Sequence, residues 1–141
     1  MSSAAEVVRK FLLDHAIVSV NGVWPIYVSF APDAPDNLVC VYDTAGRQDG
    51  RVMATGEAIV HPGIQIMVRG LTHSLAYAEM EKIWLNTDAA RKVTVALSSG
   101  ETYCLLNVSR TGDVLNAGVE EMGDRRRHIL SLNAVVTMRE E

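Results

Sequence analysis

The side chains that most often carry chemistry are scattered along this chain of 141 residues. Four histidines are present: His15, His61, His73 and His128. None has a second histidine four residues away, which is the spacing with which one helix presents two metal ligands. No CxxC, HExxH or EF-hand spacing occurs. The sequence therefore predicts no metal site.

Nucleophilic catalysis and phosphate binding have equally little support. A serine could be combined with His61 and Asp43 into a triad, but no nucleophile-elbow motif is present. The segment GEAIVHPG (56–63) matches neither the dinucleotide fingerprint nor a P-loop, and no lysine follows it. We therefore predict no catalytic residue, no cofactor and no enzymatic activity.

Two cysteines, Cys40 and Cys104, lie in the apolar runs LVCVY and YCLLNV. A free cysteine packs as a small hydrophobic residue, so both are predicted to be buried thiols. A disulfide would need an oxidising compartment, which nothing else in the sequence indicates.

The overall charge argues against a dedicated nucleic-acid surface. Thirteen basic and seventeen acidic residues give a net charge of −4, whereas such surfaces usually have a basic excess. No apolar run approaches the roughly 20 residues needed to span a bilayer. The first residues lack the charged and apolar regions of a signal peptide. We expect a protein of the cytosol, or of a particle assembled there.

Two amphipathic helices are predicted. Ser2 or Ser3 can cap the first, whose apolar stripe consists of Val7, Val8, Phe11 and Leu12. The second follows Gly70, and its stripe consists of Ala76, Tyr77, Met80, Ile83 and Trp84.

Alternation of apolar and polar residues predicts the strands 24–31, 38–42, 64–69, 93–97, 103–108 and 130–137. The first two are expected to form a hairpin or neighbouring antiparallel strands. The polar, glycine-containing segments 43–57 and 109–124 are predicted loops, and the first is expected to stay mobile until assembly. We therefore expect one α+β domain over residues 1–141, with a mostly antiparallel sheet of about five strands and two helices packed on one face.

Arg69 stands where an apolar strand stops, on the same strand face as Gln65. Arginine favours buried ion pairs and interfaces because its planar guanidinium binds a carboxylate through two hydrogen bonds. Two interpretations stay open here: an exposed residue at a strand end, or a contact between subunits.

The only basic cluster is Arg125-Arg126-Arg127-His128. It can be a solvated turn balanced by Glu120, Glu121 and Asp124, or it can form salt bridges with a neighbouring subunit. Contact with DNA is a third reading, which the nearby acidic residues weaken.

Several segments in order resemble the phage tail-terminator and minor capsid protein family. They are YVSFAPDAPDNLVCVYDTAG, HPGIQIMVRG with its following helix, and DRRRHILSLNAVV. The family's PG-x-Q strand ending in arginine corresponds to Pro62, Gly63, Gln65 and Arg69. Its late D-x-x-R, followed by an S-x-N strand, corresponds to Asp124, Arg127, Ser131 and Asn133.

The resemblance implies a structural virion protein that forms a hexameric ring at the head-proximal end of the tail. Such a ring caps the tail tube protein, stops its polymerisation and joins the tail to the head connector. DNA only passes through the lumen, no membrane is involved, and the ring assembles in the host cytoplasm. Arg69, Gln65, Asp124 and Arg127 are the candidate subunit-interface residues.

Two alternatives remain open. A head-completion or neck protein also forms rings at the head–tail junction. A small non-viral enzyme or ligand-binding domain is the alternative from another class, and it would require a well-formed apolar pocket with convergent polar groups.

Overall fold

The computed structural model describes residues 2–15, 17–18, 23–51 and 58–141. Its elements are α1 (Ala4–Asp14), β1 (Ile26–Val28), β2 (Leu38–Arg51), β3 (Ala58–Gly70), α2 (His73–Asp88), β4 (Val93–Ala96), β5 (Thr102–Arg110), β6 (Leu115–Met122) and β7 (Arg125–Glu140). Within these residues, no helix is both long and apolar enough to cross a membrane.

Helix α1 begins with a capping box. The Ser3 hydroxyl accepts a hydrogen bond from the Glu6 amide, and the Glu6 carboxylate accepts one from the Ser3 amide. This arrangement satisfies two of the backbone donors that every helix start leaves unpaired. The predicted stripe of α1 is buried against the sheet, and the Ala5 amide donates to Asp43 at 3.0 Å.

All seven strands form one mixed sheet that curls into a half-barrel. The strand order is β1-β2-β3-β7-β5-β4, and β6 pairs with β7 beyond the end of β5. Strand β7 therefore pairs with β3 along one edge, and with β5 and then β6 along the other. The core lies between the helices and one face of this sheet; central members are Phe11, Ile66, Val68, Met80 and Leu132.

We predicted an α+β class with a mostly antiparallel sheet of about five strands and two helices on one face. The two helices and a loosely α+β architecture are present, but the predicted sheet is wrong. The sheet has seven strands, is mixed and curls. One added strand, β6, lies in the segment 109–124 that was predicted to be a loop. It forms because its backbone pairs with β7 from Arg125 to Ser131, although its sequence has few residues to bury.

The polar segment 43–57 is also strand rather than loop as far as Arg51, and residues 52–57 lie outside the described part. Two register shifts let β2 follow β3 there. At the first shift the backbones touch so closely that a Cβ on Gly46 would lie 2.2 Å from the His61 carbonyl oxygen. A Cβ on Gly63 would lie 2.6 Å from the Ala45 carbonyl oxygen. Glycine is required at both positions for this pairing.

Strand β1 runs parallel to β2, so the predicted hairpin of these two strands is wrong. The connecting residues 29–37 return along the sheet rather than turning tightly, which places both strands in one direction. Ser29 begins the return with φ 64° and donates its amide hydrogen to the Val41 carbonyl at 2.9 Å. Cys40 and Cys104 are buried and free, as predicted.

Candidate assembly surface

Residues 31–37, which we call the Pro-Asp loop, are held at the end of β3 by a buried arginine. Arg69 is only 4% exposed. Its Nη2 donates to the carbonyl oxygens of Pro32 at 2.7 Å and Pro35 at 2.8 Å, and more weakly to that of Asp33 at 3.3 Å. Its Nε donates to the Asp36 carbonyl at 3.2 Å. One guanidinium therefore satisfies four backbone acceptors of the loop.

A second arginine approaches the loop from β7. Arg127 is 1% exposed, and its Nη1 donates to the Asp33 carbonyl at 2.6 Å. Its Nη2 donates to the Asp33 carboxylate at 3.2 Å and also to Glu120 on β6. Arg125 adds a pair of 2.9 Å contacts from Nη1 to the two carboxylate oxygens of Asp36. Three cations and three carboxylates thus balance at one end of the sheet, and we call this set the arginine cluster.

The charges in the arginine cluster act on one another. The pKa of Arg69 is lowered, first by burial and then by the positive charge of Arg127. Burial alone would lower the pKa of Arg127 as well, but hydrogen bonds and charge from Glu120 and Asp33 raise it overall. An arginine stays protonated in proteins, so both side chains are permanent donors at physiological pH.

The arginine cluster contains no reacting group, and its consequence is mechanical. It fixes the course of a loop whose Asp33, Ala34 and Pro35 remain exposed. The carbonyl groups of this loop are already held by Arg69 and Arg127, so the loop loses little further conformational entropy when another protein contacts it. The arrangement therefore presents a preorganised surface.

The structure brings two of the four predicted interface residues together and leaves the other two apart. Arg69 and Arg127 meet at the Pro-Asp loop, within their own subunit. Gln65 is half-buried on β3, where its strand partner on β7 is Asn133. Asp124 is exposed in the two-residue turn between β6 and β7.

Sequence reasoning named Glu120 beside the basic cluster but missed Asp33 and Asp36, the acidic partners that the Pro-Asp loop supplies. The signal was the repeated Pro-Asp of APDAPDN, which places Asp33 and Asp36 three residues apart. Arg125 and Arg126 are both exposed, whereas Arg127 is buried, and Arg126 lies 3.6 Å from the exposed Glu121. Arg126 with Glu121 therefore matches the solvated, acid-balanced cluster that the sequence suggested.

Helix α2 has an unusual distribution of polarity. Its exposed residues include Leu75, Tyr77 and Leu85, at 52%, 44% and 51% exposure. Its buried side includes Glu79, whose Oε1 has no hydrogen-bond partner among the described residues. Burial raises the pKa of Glu79 above its usual value of 4.5. Apolar groups on the solvent side of such a helix are typical of a contact with another protein.

Two further findings bear on the alternative of a ligand-binding protein. Over the described ranges, no three His, Cys, Asp or Glu side chains are grouped so that they could hold a metal ion. A cleft of about 520 Å³ lies beside α1, and six of its nine described lining residues are polar or charged: Ser2, Glu6, Arg9, Lys10, Ser98 and Ser99. Leu13, Val28 and Leu97 complete the lining, so the cleft is of mixed polarity.

Comparison with known proteins adds one match. The model of a family described as bacteriophage tail terminator protein matches residues 16–88, which is 73 of the 141 residues. The matched range contains the Pro-Asp loop, Arg69 and α2, whereas the predicted DRRRHILSLNAVV segment lies outside it. No curated protein matches the chain. The predicted resemblance to tail terminators is confirmed.

Proposed function

Because the chain belongs to the bacteriophage tail terminator family, we propose that it forms a hexameric ring at the head-proximal end of the tail. Membership gives the protein a structural role in tail assembly and places it in the virion tail. The finer proposal is that the ring caps the last ring of tail tube protein, stops tube growth and binds the head connector.

The observation that carries this proposal is the family match itself, which spans about half of the chain. The surface of the subunit supports it. Large apolar residues are exposed on α2 and β6, which is expected of a subunit that buries them in an assembly. Strand edges that remain unpaired would also be protected in a closed ring.

We propose a divided role for the predicted interface residues. Arg69 and Arg127 act indirectly, because they fix the Pro-Asp loop that a neighbouring subunit contacts. Gln65 and Asp124 keep their proposed direct role. Asp124 is exposed, and Gln65 lies on the sheet face opposite the helices, so each has surface to offer a neighbour.

The net charge suits a ring through which DNA must pass. Six copies carry 6 × −4 = −24 formal charges. A channel of that sign repels the phosphate backbone, so passing DNA is not retained.

The experiment adds purified protein to polymerising tail tube protein of the same phage and measures tube length by negative-stain microscopy. We expect tubes to stop growing, with one ring-shaped density at one end. Native mass measurement of the bound species should give six copies. Tubes that grow to the same length with and without the protein would refute the terminating role.

A reconstruction of the virion separates this role from that of a head-completion or neck protein. We expect the density of the ring to contact the last tube ring directly. If another protein layer lies between this ring and the tube, the protein is a neck component and the terminator proposal is wrong.

A further inference from the structure

Arg127 joins the Pro-Asp loop to strand β6, two segments that lie far apart in the sequence. Its Nη2 donates to the Asp33 carboxylate in the loop and to the Glu120 carboxylate on β6. Among the residues that the structure describes, no hydrogen bond or ion pair connects Glu120 with the loop itself. The polar connection between the loop and β6 therefore runs through Arg127. We call Asp33, Arg127 and Glu120 the Arg127 bridge.

The strand register places the Arg127 bridge on one face of the sheet. Glu120 is directly opposite Arg127 in the β6–β7 pair, and Arg69 is directly opposite Ile129 in the β3–β7 pair. Residues two apart on a strand share a face, so Arg127 and Arg69 lie on the same face. Both bind the Pro-Asp loop there. The loop, β3 and the β6–β7 pair thus meet at one buried cluster of charges.

The contacts of the Arg127 bridge determine the orientation of the guanidinium. Arg127 is 1% exposed, so water does not solvate its charge. Its Nη1 donates to the Asp33 carbonyl and its Nη2 to the two carboxylates, whereas its Nε has no hydrogen-bond partner among the described residues. The guanidinium is planar, so its N–H groups keep fixed directions relative to one another. Loss of one carboxylate therefore lets the whole group turn and weakens its contact with the other.

The two ends of the Arg127 bridge are open to solvent, unlike its centre. The exposed fraction of the side chain is 75% for Asp33 and 41% for Glu120, against 1% for Arg127. In the described part of the chain β6 pairs only with β7, so it lacks the second neighbouring strand that β3 and β5 have. A strand held on one side opens more readily, so the position of β6 depends on contacts such as that of Glu120.

We infer that the Arg127 bridge couples the order of the Pro-Asp loop to the order of β6. A fixed loop fixes the orientation of Arg127, and this orientation favours the paired position of Glu120 and β6. The converse also holds, because a coupling free energy between two sites is reciprocal. A protein that contacts Asp33 thereby also changes the stability of β6. The coupling is a property of the free subunit and does not depend on the proposed ring.

The first test removes Glu120 and observes the loop. Glu120→Ala takes away the carboxylate on β6 without changing any residue of the loop. NMR relaxation of the free subunit gives backbone order parameters at Asp33 and Ala34. We expect about 0.85 in the parent protein, the value of a rigid backbone, and less than about 0.6 in the variant. An unchanged order parameter in the variant would overturn the coupling.

The matched control is Glu121→Ala, which removes the same charge from the next residue of β6. Glu121 pairs with Arg126 at 3.6 Å, and this pair lies on the opposite face of the sheet because successive side chains alternate. We expect the loop to keep the order parameters of the parent protein. Equal loss of order in both variants would show that any change in β6 disturbs the loop. The Arg127 bridge would then not be the route, and the inference would be wrong.

The second test is the reciprocal change, Asp33→Ala, with hydrogen exchange measured on β6. We expect the amides of residues 119–121 to exchange about tenfold faster or more, in line with the loss of a hydrogen bond to a charged group. The amides of β5 provide the internal control, because β5 pairs with the same edge of β7 and has no contact with the bridge residue Asp33 among those described. Unchanged rates on β6, or equal acceleration on β5 and β6, would contradict the coupling.

Both measurements use the free subunit, so their outcome is independent of the proposed function. Rings that stop tube growth could form with or without this coupling, and failure to bind tubes would leave it intact. If Glu120→Ala does not fold, Glu120→Gln replaces it, since glutamine keeps the length of the side chain and removes the charge. We expect the same loss of loop order to a smaller extent. A loop as rigid as in the parent protein would overturn the inference there too.

Discussion

At the scale of single residues, the arginine cluster shows what an arginine at the end of a strand can accomplish. The sequence left open whether Arg69 is an exposed strand end or a subunit contact. It is buried and bound to four carbonyls of its own chain. Its acceptors lie more than thirty positions away in sequence, and backbone acceptors leave no residue signature. Side-chain spacing therefore could not reveal this role.

We expect Arg69→Lys to destabilise the free subunit, although the charge is kept. Lysine lacks the planar set of donors and cannot reach four carbonyls in different directions. Hydrogen bonds to charged groups contribute about 1.5–3 kcal/mol each, so partial loss should lower the free energy of unfolding by roughly 2–4 kcal/mol. Urea denaturation of the purified subunit measures the change.

The matched control is Arg126→Lys, because Arg126 is exposed and its ion pair with Glu121 is open to solvent. We expect a change below about 0.5 kcal/mol there. Equal stability of Arg69→Lys and the parent protein would contradict the structural role. That result would instead support a direct contact between Arg69 and a neighbouring subunit, which is one of the two interpretations that the sequence left open.

Glu79 gives a prediction with a definite pH dependence. Burial raises the pKa of Glu79 in the folded subunit above 4.5, so the folded state binds a proton that the unfolded state has released. Stability should therefore fall as pH rises from about 4.5 to the folded pKa. Glu79→Gln removes this cost, and we expect a gain on the order of 1 kcal/mol at neutral pH.

The measurement is the free energy of unfolding between about pH 4.5 and pH 8 for the parent protein and the variant. The parent should lose stability relative to Glu79→Gln as pH rises. Glu81→Gln, on the exposed side of the same helix, should follow the parent curve. Parallel curves for the parent and Glu79→Gln would show that a group within the subunit stabilises the carboxylate of Glu79. Its pKa would then not be raised on folding, and the prediction would be wrong.

At the scale of elements, the β2–β3 hairpin depends on close backbone contact. A Cβ on Gly46 would lie 2.5 Å from the Gly63 amide nitrogen, and backbone atoms cannot move away as a side chain can. We expect Gly46→Ala to break the pairing around the first register shift and to destabilise the subunit by roughly 1–3 kcal/mol. Hydrogen exchange should accelerate at the strand amides on either side of Gly46.

Gly112 provides the control, because a Cβ there would meet nothing within 4 Å. We expect Gly112→Ala to leave both stability and exchange nearly unchanged. Unaltered exchange in Gly46→Ala would mean that the two strands are not paired at this point.

The elements also show how far the sequence predicts the fold. Strands with one buried face, such as residues 64–69 and 130–137, were located because their apolar residues alternate. Strand β6 was missed because it lies at an edge, where Leu115 and Val119 are exposed and polar residues are tolerated. The direction of β1 was missed because alternation is the same in parallel and antiparallel strands. In the candidate assembly surface, the sequence singled out Arg69 and Arg127 but did not indicate that they bind the Pro-Asp loop.

At the scale of the whole molecule, charge connects the subunit to its proposed place around DNA. The arginine cluster is internally neutral, so its three cations add no net basic charge. The excess of acidic residues, net −4 per copy, is therefore carried by the rest of the molecule. In the basic run 125–128, Arg125 and Arg127 bind the Pro-Asp loop. Few basic side chains of this run therefore remain to bind phosphates.

We therefore expect neither the free subunit nor the ring on tail tubes to bind double-stranded DNA. Non-specific DNA-binding proteins reach dissociation constants of about 10⁻⁴–10⁻⁶ M at physiological salt through counterion release. Fluorescence anisotropy of a labelled duplex should show no saturable binding over that concentration range.

The control is the double variant Glu81→Lys/Asp88→Lys, exposed on α2, whose formal charge is −4 + 4 = 0. If the missing affinity is due to charge, this variant should bind more tightly than the parent at low salt and lose the difference as salt rises. Saturable binding by the parent protein, weakening steeply with salt, would instead reveal a basic path on the surface. The ring would then hold the DNA, and the acidic charge could not be what lets it pass.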